Sequence, residues 1–215
     1  MNRTGLLYVV VLALATGVAC ADVEDDVKAA IQDFAADDFE VRFEALQTVI
    51  VIGGPAAGRL IEALDAEETL VRCYACKALA RIAAPQAKAR LQELLESDKR
   101  AGVRAAAAEA LAAYKDDVLD SLRKAASEDP SSYVRKSAVI TIASVRTKAG
   151  IDQLIWLLKS SGDEIRRMAA DSLRDITVED FGPDYHPWHK WWTDNRADFE
   201  MADDAPPPDA VEEEE

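Results

Sequence analysis

Val41-Arg42, Val71-Arg72, Val103-Arg104, Val134-Arg135 and Ile165-Arg166 are occurrences of one phrase. Four residues after each Val or Ile stands an alanine (Ala45, Ala75, Ala107, Ala138, Ala169), and eight residues after it a large aliphatic (Val49, Leu79, Leu111, Ile142, Leu173). Eleven residues after come Ile52, Ile82, Tyr114, Val145 and Ile176. These offsets return to one side of an α-helix, so each phrase opens an amphipathic helix. Successive phrases lie 30, 32, 31 and 31 residues apart, a fixed period that marks a stacked repeat array. A second series, Leu60, Leu91, Leu122 and Leu154, recurs at 31, 31 and 32 residues and marks a partner helix in each unit. With Val23, Val27, Ile31 and Phe34 supplying the first helix, the sequence predicts ten helices in five hairpins and no strand.

The punctuation agrees with this reading. Gly53-Gly54 ends the helix from Phe39, and Pro55 and Pro85 stand where the first turn of a helix tolerates proline. A single hairpin is too small to bury its own apolar stripe, whereas stacking the hairpins makes one continuous core. The recurring alanine lets helices approach closely. The recurring arginines (Arg42, Arg72, Arg104, Arg135, Arg166) form a structural ladder, expected to pair with Asp38, Glu68, Asp98, Asp129 and Asp163 in the turns of their own or the adjacent repeat.

Phrase and period together resemble the HEAT repeat family, in the short bacterial form also seen in phycobilin lyase subunits. The resemblance covers about residues 24–178 of an array taken as 22–178. It implies an all-α solenoid, a superhelix of about five stacked two-helix repeats whose second helices line the concave side. It implies binding by an extended surface and does not specify the partner.

The array gives way to an aromatic segment over 179–201, in which Phe181, Tyr185, Trp188, Trp191 and Trp192 are a large apolar load. A terminal repeat needs a cover for its open face, and these residues are read as a C-terminal capping helix, with Pro187 in its first turn and His186 ahead of it. Gly182, Asp184, Trp188, Trp191 and Trp192 also resemble an aromatic coda found in some bacterial HEAT-repeat proteins, which adds weight to a structural cap.

Residues 1–21 read as a secretory signal, with Arg3 near the start, an apolar run over 6–15 broken only by Tyr8, and small residues after it. That run is shorter than the roughly 20 apolar residues of a membrane span. Two cleavage readings compete. Ala19-Cys20-Ala21 fits small-x-small cleavage before Asp22, while Gly17-Val18-Ala19-Cys20 resembles a bacterial lipobox that would lipidate Cys20, with Gly17 where Leu is usual. Either places the chain in the periplasm or cell envelope of a bacterium, the second with a membrane contact only through the anchor at Cys20. At the other end, residues 202–215 carry seven acids and Pro206-Pro207-Pro208, and are read as a disordered acidic tail. Such a tail solubilises the chain or contacts a basic partner.

The net charge is −15, from 25 basic and 40 acidic residues, and loss of Arg3 with the signal leaves 24 against 40, or −16. That balance argues against nucleic acid, whose binding rests on neutralised phosphates. No Gly-rich phosphate loop, calcium loop or Ser-His-Asp spacing stands out. Cys73 and Cys76 form C-x-x-C, but they fall inside a predicted helix rather than at its start, and Cys76 holds a core position; packing cysteines, free or in a local disulfide, are expected rather than a redox or metal site. His186 and His189, with Asp184, are a weak metal candidate and are read as polar edges of the cap. No catalytic residue, metal site or cofactor is assigned.

A binding surface is easier to place. The face opposite the core, two, three, six and nine residues after each Val or Ile, holds Phe43, Tyr74, Ile140 and Met168, with Lys77 beside them. These are expected to line an apolar groove for a helix or extended segment of a partner protein. The sequence thus predicts an exported, non-catalytic scaffold for protein–protein interaction. An enzyme-associated subunit, either bilin-lyase-like or metal-binding, and an envelope-tethered structural lipoprotein are the alternatives.

Overall fold

A computed structural model of the chain describes residues 20–160 and 162–201. The apolar run of the expected signal and the acidic tail over 202–215 lie outside the described residues, as does all of the signal except Cys20 and Ala21, which open the first helix. Eleven α-helices and no strand occur among the described residues. They are α1 (Cys20–Asp33), α2 (Phe39–Ile52), α3 (Ala57–Ala63), α4 (Thr69–Ile82), α5 (Lys88–Ser97), α6 (Ala101–Leu111), α7 (Leu119–Glu128), α8 (Ser132–Val145), α9 (Lys148–Ser160), α10 (Asp163–Thr177) and α11 (Tyr185–Asn195). No described helix is long and apolar enough to cross a membrane.

The first ten helices pair in sequence as five hairpins, and the hairpins stack. Successive second helices (α2, α4, α6, α8, α10) pack on one another, and the first helices lie against them as a second layer. The core between the layers is the one the repeated phrase describes. The five phrase alanines, the five aliphatics that follow them and Leu60, Leu91, Leu122 and Leu154 are all buried. Helix α6, in the middle of the stack, buries Ala105, Ala106, Ala107, Ala108 and Ala110, so α4 and α8 close on it from both sides with little between the backbones. Position eleven is less uniform: Ile52 and Ile176 are buried, whereas Ile82, Tyr114 and Val145 only pack against the core's edge.

Helix ends follow local chemistry. Asp38 caps α2 by accepting from the Glu40 amide at 2.8 Å. Pro55 and Pro85 stand in the short 3₁₀ turns Gly54–Ala56 and Pro85–Ala87 that lead into α3 and α5. Before α8 the Ser131 side chain supplies no cap, and Asp129 accepts from the Ser131 amide at 2.8 Å. Gly53 ends α2 at φ 69°, a value glycine adopts freely. Three other helices end at positive φ without glycine, at Ala83, Arg146 and Val178. Val178 is the most strained of these, a β-branched residue at φ 67° with 89% of its side chain in water. The left-handed conformation costs a non-glycine residue about 1–2 kcal/mol. Val178→Gly is therefore expected to raise the unfolding free energy by about 1 kcal/mol, read as a shift in the urea midpoint at unchanged slope.

Candidate functional site

Three features of the stack have the specificity of a site: the arginine ladder, the outer side of the second helices, and the aromatic cap.

A full rung of the ladder, at Arg42, Arg72 and Arg104, is an arginine that reaches in two directions. Its Nη1 turns back to carbonyls of the turn that ends the preceding helix: Arg42 to Ala36 and Asp37, Arg72 to Ala66 and Glu67, Arg104 to Asp98, Arg135 to Asp129 and Pro130. The remaining nitrogens reach forward to the next repeat. Arg72 holds the Asp98 carboxylate through Nε at 2.8 Å and Nη2 at 3.3 Å, and Arg104 holds Asp129 at 2.7 and 2.8 Å. Asp98 and Asp129 each accept one arginine on the carboxylate and the next arginine on the backbone carbonyl. A relay Arg72–Asp98–Arg104–Asp129–Arg135 thus runs through the middle of the stack. Burial pulls the Asp129 carboxyl upward, but the Arg104 hydrogen bond, the Ser131 amide and the nearby charges of Arg104 and Arg135 hold it below the usual carboxylate range.

The ladder is not uniform. Arg42 points its Nε at the Tyr74 hydroxyl, 3.3 Å away, where the next repeats use an aspartate. Arg166 pairs with Asp163 of its own repeat. Neither Asp38 nor Glu68 serves as a rung for Arg42, and the carbonyl half of the device is not visible in the residue spacing.

The outer side of the second helices differs from the expected groove. Tyr74 does not line it: only 8% exposed, it packs on Phe34 with ring centroids 5.4 Å apart and takes the Arg42 bond. In the three middle repeats the position three residues into the phrase turns toward the neighbouring helix, so Ala106 and Ser137 are buried there as Tyr74 is, whereas Glu44 of the first repeat is exposed. Met168 is half-buried against the core. Phe43 is 47% exposed and Ile140 59% exposed, and Lys77 is exposed with its ammonium 5.0 Å from the Tyr74 ring centre. Four further residues join Phe43 and Ile140 that spacing did not single out: Phe39 at 63% exposure, Val51, Leu70 and Tyr133. Phe39 stacks on Phe43 with centroids 6.1 Å apart. At about 100° per residue all six fall within about 120° of one another, on the side away from the core.

The cap is built on α11 and the chain either side of it. Asp184 caps the helix by accepting from the His186 amide, so the helix begins at Tyr185 and His186 lies inside it, not ahead of it. Trp188 is fully buried, donates from Nε1 to the Gly182 carbonyl at 2.8 Å and meets Phe181 edge to face at 4.9 Å. Trp192 is buried on α9 and donates to Asp152 at 2.6 Å; Arg196 holds the same carboxylate at 2.9 and 3.2 Å. Trp191 stacks on Trp192 and is met edge-on by Phe199, and Met201 is buried beyond them. Asp152, Arg196, Phe199 and Met201 are parts of the cap that the sequence reading did not name. Between α9 and α11 a cleft of about 450 Å³ opens, walled by Trp156, Lys159, Tyr185, His189 and Arg196.

Metal and thiol chemistry gain nothing from these positions. His186 and His189 are exposed, and no cluster of three His, Cys, Asp or Glu among the described residues has the geometry to hold an ion. Cys73 and Cys76 are free thiols, Cys76 buried and Cys73 half-buried, and burial pushes both up from the ordinary thiol range, the reverse of what a reactive thiolate needs.

Two layers of stacked helix hairpins joined by buried arginine rungs define an α-solenoid repeat protein. The chain belongs to the HEAT repeat family: the family model for HEAT repeats matches residues 58–141 and 119–183, from α3 through α10 and into the start of the cap. No curated protein matches the chain. Among solved structures 23 chains match. One is the crystal structure of an engineered protein from the Northeast Structural Genomics Consortium, 22% identical over 70% of this chain and 78% of that one, with a TM-score of 0.44.

Proposed function

We propose that the protein is an exported, non-catalytic HEAT-repeat scaffold that binds another protein across the outer side of its second helices. The observation that carries this reading is the row of large apolar side chains left in water there: Phe39, Phe43, Leu70, Tyr133 and Ile140. Complete burial of one such side chain is worth about 1.5–3 kcal/mol, so a partner that covers several of them has a driving force. The residues span α2, α4 and α8, a length that suits a partner helix or extended segment rather than a small molecule. Lys77 and Glu109 share the helical position of Ile140 and, with Lys136, place polar groups among them. Export rests on the signal-like segment over 1–21, and tethering on the lipobox-like residues before Cys20. A mature chain that starts at unmodified Asp22 would exclude the tether.

The test uses the purified protein as bait in native envelope extract. The double variant Phe43→Asp/Ile140→Asp is expected to lose at least about 90% of the specifically retained partner, since two buried charges cost several kcal/mol. Lys124→Ala, at an exposed residue of the first-helix layer, is expected to retain it. Equal retention by the double variant would remove the proposed surface.

A further inference from the structure

The cleft between α9 and α11 is chemically unlike the rest of a chain whose net charge is −15. Trp156 is 37% exposed and lies across the Arg123 guanidinium, 4.3 Å from the ring centre. Tyr185 is half-buried on the opposite wall, with the Lys159 ammonium 5.6 Å from its ring centre and the His189 ring 5.1 Å away. Lys159 forms no ion pair with any described residue. The cleft's one carboxylate, Asp152, is already held by Arg196 and Trp192. What remains open is therefore aromatic surface bordered by cationic groups, a combination that takes proline rings on the aromatics and carboxylates on the rim.

That complement is present in the same chain. Pro206-Pro207-Pro208 stands between Asp203-Asp204 and Asp209, followed by Glu212 to Glu215. The segment leaves the fold beside the cleft: Arg196 lines it, Lys148 of α9 bonds the Ala197 carbonyl at 2.9 Å, and Met201 is buried. Pro206 is five residues past Met201, a reach of at most about 18 Å. A tether of that length supplies an effective concentration on the order of millimolar, so a weak intrinsic affinity suffices.

We propose that residues 203–209 of this chain occupy the cleft between α9 and α11, with the prolines on Trp156 and Tyr185 and the flanking carboxylates on Lys159 and Arg196. This contact is intramolecular. It covers Trp156, and it is independent of what the second helices bind.

Zero-length carbodiimide coupling of the full chain at low salt, read by peptide mass spectrometry, tests this. The expected product is an intramolecular amide between Lys159 and a carboxylate of the tail, at least about fivefold above tail adducts at the exposed control lysines Lys190 and Lys28, in keeping with a local concentration set by docking. It is expected to disappear when Pro206, Pro207 and Pro208 are changed to serine, a change outside the folded array, and to fall in Trp156→Ala. Equal coupling to Lys159 and Lys190 would overturn the proposal, because tethering alone explains it. So would adducts found only in a covalent dimer, which would place the tail on a second copy, and so would an unchanged yield in the serine variant.

Discussion

Trp188→Ala is expected to destabilise the protein by about 3–5 kcal/mol, the cost of emptying a fully buried aromatic site. Trp188 has no exposed surface, Phe181 and Trp191 pack edge-on against it, and its indole N–H ties α11 to Gly182. The loss should be local before it is global. A repeat stack is held by neighbour interfaces, so a failed cap opens the last hairpin first. Hydrogen exchange is expected to show lost protection in α9 and α10, with α2 to α6 nearly unchanged. Trp188→Phe separates packing from the hydrogen bond and is expected to cost less than half as much. A change under about 1 kcal/mol for the alanine variant would mean that the cap does not close the array.

Asp129→Ala is the second large effect, at about 3–5 kcal/mol at neutral pH, because it leaves the Arg104 guanidinium buried and unpaired. Both side chains are largely buried, at 11% and 6% exposure, and Asp129 is also the acceptor for the Ser131 amide at the start of α8. The pH dependence has a definite sign. The folded-state pKa of Asp129 is lowered, so its contribution is fully present above the unfolded carboxylate value of about 3.9 and is lost as pH falls through the lower folded value. The stability gap between wild type and Asp129→Ala is thus expected to be widest near pH 7 and to close below about pH 4. Urea unfolding across that range checks it. Asp98→Ala breaks the preceding rung and should couple with Asp129→Ala non-additively, since both carboxylate charges act on the Arg104 guanidinium.

How far the fold was legible depended on how local its cause was. The phrase Val-Arg-x-x-Ala repeats because each hairpin needs the same core contact, and so α2 could be bounded closely, from Phe39 to the break at Gly53-Gly54. The acid rungs of Arg72 and Arg104 were legible for the same reason. Their carbonyl bonds were not, because any residue provides a carbonyl. Tyr74 misled because a helical wheel has no neighbours: its position faces away from the hairpin's own core but toward the adjacent repeat and Phe34. Asp152 was invisible because its partners, Trp192 and Arg196, lie 40 and 44 residues away. Leu70 and Tyr133 were missed because they precede the phrase by one residue, outside the positions sampled, although the same 100° rule places them beside Ile140.

Recognition is proposed to lie on the outer side of the second helices. Site-specific photo-crosslinking in native extract tests it most directly, with the probe placed in turn at Phe43, Tyr133 and Ile140 and, on the first-helix layer, at the exposed positions Glu62 and Lys124. One common protein adduct is expected from the three second-helix positions and none from the other two. Adducts of equal yield from both layers, or from Glu62 and Lys124 alone, would contradict it.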